Sequence, residues 1–188
     1  MTMTSKEGGD LDRDLERLAL QERRLRFERF DAGTAWELGS QLRAAGEARG
    51  ASLAIDVSLC GQQLFHCALP GATPDNADWV RRKRNTVLRF HRSSYALGLL
   101  LQHQGTTLEA KTGAPLVDHA THGGGFPILL AGGTCIGAIT VSGLPQREDH
   151  GLIVAVLAEH LGQPLADATL AGAHQPDQHD GLVQAPRQ

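Results

Sequence analysis

The chain has 188 residues, of which 41% are hydrophobic and 21% are charged, and its net charge is −3. This composition predicts one soluble globular domain and gives no support for general nucleic-acid binding. No apolar run reaches the about 18 residues that a membrane span needs, and the N-terminus lacks the apolar segment of a secretory signal. Three cysteines without a CxxC pair are typical of reduced thiols, so we expect a cytoplasmic protein.

The first predicted elements lie between a polar N-terminus and a second helix. Residues 1–9 are expected to be disordered, and leucines at helical spacing then predict a helix over about residues 10–22. Leu25 and Phe27 alternate with charged residues, which indicates a short edge strand. Asp31 is of a type that caps helices, and the apolar stripe that follows it predicts the second helix.

A first hairpin is predicted where alternating apolar residues at 53–59 meet a second run at 64–69. A two-residue loop would place His66 opposite Val57. A three-residue loop at 61–63 brings apolar residues together, so it is the register we predict. In it, His66 belongs to the more polar face. The predicted pairs are Leu59 with Phe65, Val57 with Cys67, and Ile55 with Leu69.

The middle of the chain reads as two helices followed by a long loop. Thr73 and Pro74 are typical of a helix start, and the apolar residues that follow extend this helix to Phe90. Ser93 or Ser94 marks a second cap before a helix over about residues 95–104. Residues 105–121 have few apolar anchors and are predicted to be a flap-like loop.

A second hairpin is predicted from two apolar runs, at residues 126–131 and 134–141, joined by the turn Gly132-Gly133. Both faces of these strands are apolar, so both are expected to be central in the sheet. Pro145 then opens a helix that has Glu148 and Asp149 in its first turn. The predicted pairs are Phe126 with Ile139, Ile128 with Gly137, and Leu130 with Cys135.

Together these elements predict an α+β layered domain over residues 10–162. The two hairpins should meet in one antiparallel sheet of about five strands, with helices packed on it. Strands that are apolar on both sides exceed what the helices can cover, which indicates a homo-oligomer. Residues 163–188 show no apolar period and are expected to form a disordered tail.

Two segments carry a resemblance to a known family. NADWVRRKRNTVLRFHRSS at 76–94 and HGGGFPILLAGGTCIGAITVSGLPQREDH at 122–150 resemble the uncharacterised UPF-type family grouped with haem-degrading, GlcG/HbpS-like domains. The resemblance covers about residues 15–162. It implies a profilin-like or PAS-like layered fold, a homo-oligomer, and binding of haem or a corrinoid, with slow haem breakdown in some relatives.

The candidate cofactor-binding residues are His122, Gly123, Gly124, Arg82 and Lys83. An imidazole beside bare backbone could ligate a haem iron, so His122 is also the candidate metal ligand, although a hydrogen-bonded structural histidine is the alternative. The glycines would let a ligand or a neighbouring segment approach closely. Arg82 and Lys83 could meet the propionates of a tetrapyrrole, or they could belong to a solvated basic face.

Other motifs give weaker indications. The sequence His-Gly-Gly-Gly from His122 imitates an oxyanion loop, but no Gly-x-Ser-x-Gly elbow accompanies it. His119 and His122 have a metal-like spacing, but Pro115 and the glycines argue against the helix that this spacing requires. Asp149 and His150 are adjacent on a helix and therefore point to different sides. No catalytic residue is assigned.

Three functional hypotheses follow. The first is a ligand-binding module for haem, a related tetrapyrrole or another anionic small molecule. The alternative is an interaction or scaffold oligomer without a small ligand. The second alternative is a haem-degrading enzyme, which rests on the resemblance alone because the sequence shows no acid–base pair. Neither nucleic acid nor a membrane is expected as a partner.

Overall fold

The structure is a computed structural model that describes residues 5–163, with side chains from Gly9 onward. Within this part of the chain, the strands form one antiparallel sheet in the order β2-β1-β4-β3. The two predicted hairpins therefore meet side by side, and the α+β class is confirmed. The helices are α1 Ser5–Arg24, α2 Ala32–Ala48, α3 Pro74–Phe90, α4 Ser94–His103, α5 Leu108–Thr112 and α6 Gln146–His160. The strands are β1 Ala54–Leu59, β2 Gln62–Ala68, β3 Gly125–Leu129 and β4 Cys135–Ser142.

Local capping residues fix the starts of three helices where the sequence predicts them. The carboxylate of Asp31 accepts a hydrogen bond from the backbone N–H of Thr34 at 2.9 Å and begins α2. Thr73 and Asn76 form a capping box at the start of α3, and Ser93 caps α4. These contacts join residues three apart, so the sequence alone is sufficient to predict them.

The first hairpin has a different register from the predicted one. Its loop is the two-residue Cys60-Gly61, and a β-bulge after Val57 leaves Leu64 as the extra residue on β2. The predicted three-residue loop is therefore wrong, because the odd residue lies inside the strand. His66 pairs with Asp56 and lies on the more polar face. The observed apolar pairs are Val57 with Phe65 and Ile55 with Cys67.

The second hairpin keeps most of the predicted register. Phe126 pairs with Ile139 and Ile128 with Gly137, as predicted. Beyond Ile128 the register shifts, so that Leu129 rather than Leu130 pairs with Cys135. The irregularity lies next to the turn, where one residue can be accommodated without moving the core pairs.

Strand β3 lies at an edge of the sheet, so the prediction that both hairpin strands are central is wrong for β3. Its edge is covered by the segment between α1 and α2. The N–H of Phe27 donates to Leu129 O, and the N–H of Ala131 donates to Phe27 O, both at 2.8 Å. This segment makes an isolated bridge at Leu130 rather than a strand, so the described sheet has four strands instead of about five.

The two faces of the sheet differ in polarity. Helices α2 and α6 pack on the apolar face. Helix α3 packs on the other face, α4 lies beside α3, and α1 packs against α4. Asp56, Ser58 and Thr140 are buried on the α3 side. The main side chains of the apolar face are Ile55, Val57, Phe126, Ile128, Ile139 and Val141.

The structure differs from the prediction in two segments, the start of the first helix and the loop after α4. Helix α1 begins at Ser5, earlier than the predicted start near residue 10, and the predicted loop at 105–121 contains α5. Residues 1–4 and 164–188, which hold most of the predicted disordered ends, lie outside the described residues.

Close contact between β1 and β4 leads to a first prediction, at Gly137. A Cβ atom there would lie 2.1 Å from the backbone oxygen of Ser58. Gly137→Ala should therefore lower the free energy of unfolding by roughly 1–3 kcal/mol, measured by chemical denaturation. Gly132→Ala in the same hairpin is the control, because a Cβ there meets nothing within 4 Å. Equal stability of the two variants would contradict the packing described.

Candidate functional site

The segment between α5 and β3 returns along helix α3. The side-chain amide of Asn85 donates to Asp118 O at 2.9 Å, and the backbone N–H of Ala120 donates to the hydroxyl of Thr86 at 3.0 Å. These bonds bring the next residues, His122 to Gly125, against the basic helix. The contacts of Asn85 and Thr86 thus place this loop beside α3.

Trp79 connects the two candidate residues His122 and Arg82. The His122 ring meets the indole edge-on, with 4.9 Å between ring centroids. The guanidinium carbon of Arg82 lies 3.9 Å from the same ring centroid, within the range of a cation–π contact. All three side chains are partly exposed. We call Trp79, Arg82 and His122 the Trp79 cluster.

Acidic residues on α3 orient the cluster. Asp75 accepts a hydrogen bond from the indole N–H of Trp79 at 3.1 Å. Asp78 Oδ2 lies 2.8 Å from Arg82 Nε, and Asp78 also pairs with Arg81. Burial would raise the pKa of Asp78, but the hydrogen bonds and charges of the two arginines lower it. The Arg82 side chain is consequently held over the indole while 19% of it remains exposed.

Lys83 lies inside the protein, unlike Arg82. Its ammonium is 2.9 Å from Asp149 Oδ2 and donates to Val141 O at 3.1 Å, and the two side chains are 3% and 1% exposed. Burial lowers the pKa of Lys83 and raises that of Asp149, while their attraction opposes both shifts. Asp149 Oδ1 also accepts the N–H of Leu144 at 3.0 Å. The charge of Lys83 is thus used within the fold, where it joins α3, β4 and α6.

The glycines after His122 face the protein. A Cβ atom on Gly123 would lie 1.9 Å from Gln146 O. On Gly124, whose φ is +110°, it would lie 2.5 Å from Val141 O and 2.8 Å from Lys83 Nζ. Of the two roles expected for these glycines, the structure therefore shows close approach to a neighbouring segment. Neither residue presents open backbone beside the Trp79 cluster.

No group of three or more histidine, cysteine, aspartate or glutamate side chains that could hold a metal ion occurs within residues 5–163. The segment from His119 to His122 is not helical, as predicted, and His119 Nδ1 lies 3.2 Å from Pro115 O. A porphyrin iron needs only one protein nitrogen, so His122 remains compatible with that kind of ligand.

Most of the basic helix is neutralised by contacts with the protein. Arg81 pairs with Asp78 and Asp118, and Arg84 pairs with the fully buried Asp56. Sequence reasoning missed the pairs with Asp118 and Asp56 because these two acidic partners are distant in the chain. Over the described residues no helix is long and apolar enough to cross a membrane.

A helix-covered antiparallel sheet with a glycine-rich loop docked on a basic helix defines an α+β layered domain. The family model described as "Haem degrading protein HbpS-like" matches residues 30–158, so the chain belongs to the HbpS-like family. It is 58% identical over 153 residues to a UPF0303 protein of Rhizobium meliloti (strain 1021), covering 81% of this chain and 93% of the relative.

Solved structures agree with this assignment. The crystal structure of the Ybr137w protein matches with a TM-score of 0.73 and 33% identity, over 79% of this chain and 87% of that one. A crystal structure of a PduOC–haem complex matches with a TM-score of 0.57 and 18% identity, over 75% of this chain and 95% of that one. At this low identity the second match shows the fold alone.

Proposed function

We propose that this protein is a ligand-binding module that takes haem or a related tetrapyrrole at the Trp79 cluster. One observation carries the proposal: an imidazole and a guanidinium, both partly exposed, contact the same indole ring. A flat anionic ring with a central metal can use an aromatic surface, a nitrogen ligand and a cation together.

Each group of the cluster would have a separate role. The imidazole of His122 would supply a nitrogen to the iron, and Trp79 would offer an aromatic surface to the ring. Arg82 would bind a propionate through its guanidinium, which is suited to two parallel hydrogen bonds. When bound, haem would supply the iron that carries any ligand or redox chemistry.

The remaining candidate residues support this site from inside. Gly123 and Gly124 let the loop pack closely, and Lys83 fixes its inner side through Asp149 and Val141. The family description adds support for haem as the ligand and gives none for a corrinoid. A cytoplasmic homo-oligomer is the form in which we expect the protein to act.

Titration with haemin and with metal-free protoporphyrin IX tests this proposal. Arg82→Gln should weaken binding of both by about ten- to a hundredfold, which is the expected loss of a charge-assisted hydrogen bond. His122→Ala should change the Soret band of bound haemin, but it should alter affinity for the metal-free ring much less. Absorbance and fluorescence quenching measure these effects.

Arg89→Gln is the matched control, because Arg89 lies on the same helix and contacts Thr112 O instead of the cluster. It should bind both ligands like the wild type. Equal affinities and identical spectra for all four proteins would refute the site. An absence of binding by the wild type would refute the proposed ligand class.

A further inference from the structure

The two edges of the sheet are treated differently by the chain. The edge at β3 is covered by the segment after α1, and every residue of β3 is buried. The opposite edge is β2, and none of the described residues pairs with its outer side. Gln62, Gln63, His66 and Ala68 of this strand are exposed. An open edge offers unpaired backbone donors and acceptors to another strand.

The sequence of β2 lacks the usual protection of such an edge. Soluble proteins prevent an open edge from pairing with another strand by placing lysine, other charged residues, proline or a bulge on it. Strand β2 reads QQLFHCA and contains neither a charged residue nor a proline. The bulge at Leu64 affects one end, so residues 65–68 remain a regular and neutral edge.

Hydrogen bonding to β1 determines which backbone groups point outward. The N–H of Leu69 donates to Leu53 O at 2.8 Å, which makes these two residues a hydrogen-bonded pair. Because such pairs alternate along antiparallel strands, Phe65 and Cys67 direct their N–H and C=O groups toward β1. His66 and Ala68 therefore direct theirs away from the sheet.

An exposed aromatic residue lies beside this strand. Trp36 of α2 is 66% exposed, and its ring centroid is 5.9 Å from that of Phe65. Gly39 of the same helix lets Phe65 approach, since a Cβ atom there would lie 2.3 Å from the Phe65 ring. The open edge is thus flanked by apolar surface on the α2 side.

We infer that the outer edge of β2 binds β2 of a second copy of this chain, joining two four-stranded sheets into one. The backbone groups of the edge fit a β-strand. Two identical edges related by a two-fold axis meet as antiparallel strands, so the same residues lie on both sides of the contact. A neutral edge introduces no repulsion when it meets itself. The two Trp36 side chains then lie on the same face of the joined sheet and extend the interface.

Ala68→Pro is the direct test. Proline removes an N–H that points outward, so the ladder between β1 and β2 keeps its bonds. Because the interface is symmetric, the substitution removes one backbone hydrogen bond on each side. Losing two backbone hydrogen bonds should weaken association by about ten- to a hundredfold. In analytical ultracentrifugation over a concentration series, the variant should have half the mass of the wild type, whose single chain is 20.1 kDa.

A second pair of variants tests the same edge in case Ala68→Pro does not fold. His66→Lys introduces a charge at the same edge, whereas Gln102→Lys introduces it at an exposed position of α4. The first should weaken association and the second should not. Thermal unfolding confirms that each variant is folded.

Amide hydrogen exchange distinguishes an edge that is covered by a second copy from an edge that is covered by another part of the same chain. The amides of His66 and Ala68 should gain protection as the wild-type concentration rises. A wild type that is monomeric throughout would overturn the inference. So would an unchanged mass for both edge variants, or protection of these amides at every concentration, which would mean that the chain covers its own edge.

Discussion

Lys83→Met is expected to lower the free energy of unfolding by roughly 3–5 kcal/mol, the usual penalty for leaving one member of a buried ion pair alone. In the wild type, the ammonium of Lys83 and the carboxylate of Asp149 are 2.9 Å apart and almost fully buried. Methionine has nearly the same length but offers neither a charge nor a donor. The carboxylate of Asp149 and the carbonyl of Val141 both lose a partner.

The loss should depend on pH. Without Lys83, burial raises the folded-state pKa of Asp149 further, so the protonated form is the one that the fold tolerates. A raised folded pKa gives stability that is present at low pH and is lost as the pH rises through it. Chemical denaturation of Lys83→Met should therefore show a larger deficit against the wild type at pH 8 than at pH 5.

Two further variants control this experiment. Lys111→Met removes an exposed lysine of α5 and should change stability little. Lys83→Met/Asp149→Asn should be more stable than Lys83→Met at pH 8, because the asparagine carries no charge and can still accept the N–H of Leu144. If the double variant were no more stable, the loss would come from packing and not from an isolated buried charge.

Features that depend on residues close in sequence were the predictable part of this fold. The starts of α2, α3 and α4 follow from caps at Asp31, Thr73 and Ser93, whose partners lie within three residues. The core pairs of the second hairpin follow from alternation around a glycine turn. In both cases the information that sets the structure is local.

Bulges and edges were not predictable, because they depend on which strand ends up beside which. The bulge at Leu64 places Phe65 opposite Val57, which preserves apolar pairing in a register that neither considered loop length gives. Likewise, the segment around Phe27 has the alternation of a strand, but it makes a single bridge, to Leu130. The alternation of apolar and polar residues therefore predicts which face of the sheet a side chain lies on more reliably than it predicts the residue that pairs with it.

The candidate site was predicted in part. His122 and Arg82 do come together, but through Trp79, which was not among the candidate residues. Lys83 carried a readable signal: with Val80 and Val87 it occupies the apolar stripe of α3, so helical periodicity places it inward. Its partner Asp149 could not be identified, since 66 residues separate them. The sequence placed Asp149 in the first turn of α6, as observed, but gave no indication of its partner.

Between pH 7.5 and 4.5, the protein is expected to lose stability because of His150 on α6. This side chain is fully buried, its Nε2 lies 2.8 Å from Gln21 Oε1, and aromatic rings of Tyr95 and Phe126 lie close to it. Burial lowers the pKa of His150 from 6.5 to about 3, and the positive charge of Arg147 acts in the same direction. The folded protein therefore keeps His150 neutral over most of the acidic range.

The direction of this pH effect follows from the difference in proton binding between the unfolded and the folded chain. Above pH 6.5 the imidazole is mostly neutral in both the folded and the unfolded chain, so it has little effect on the pH dependence. As the pH falls below 6.5, His150 binds a proton in the unfolded chain but stays neutral in the folded protein. Stability therefore decreases until the pH approaches 3. At about 1.4 kcal/mol per pH unit, the loss from this residue by pH 4.5 is roughly 3 kcal/mol.

Comparison of the wild type with His150→Gln isolates this contribution. The substitution changes packing and hydrogen bonding by an amount that does not depend on pH, so a lower stability at pH 7.5 does not affect the test. What matters is the further change in the free energy of unfolding from pH 7.5 to 4.5 in urea denaturation, which should be roughly 3 kcal/mol smaller for the variant. NMR titration of the His150 ring in the folded wild type should show a neutral imidazole at pH 4.5. Parallel stability curves for the two proteins, or a ring that is protonated at pH 5.5, would mean that water or a rearranged α1 reaches His150.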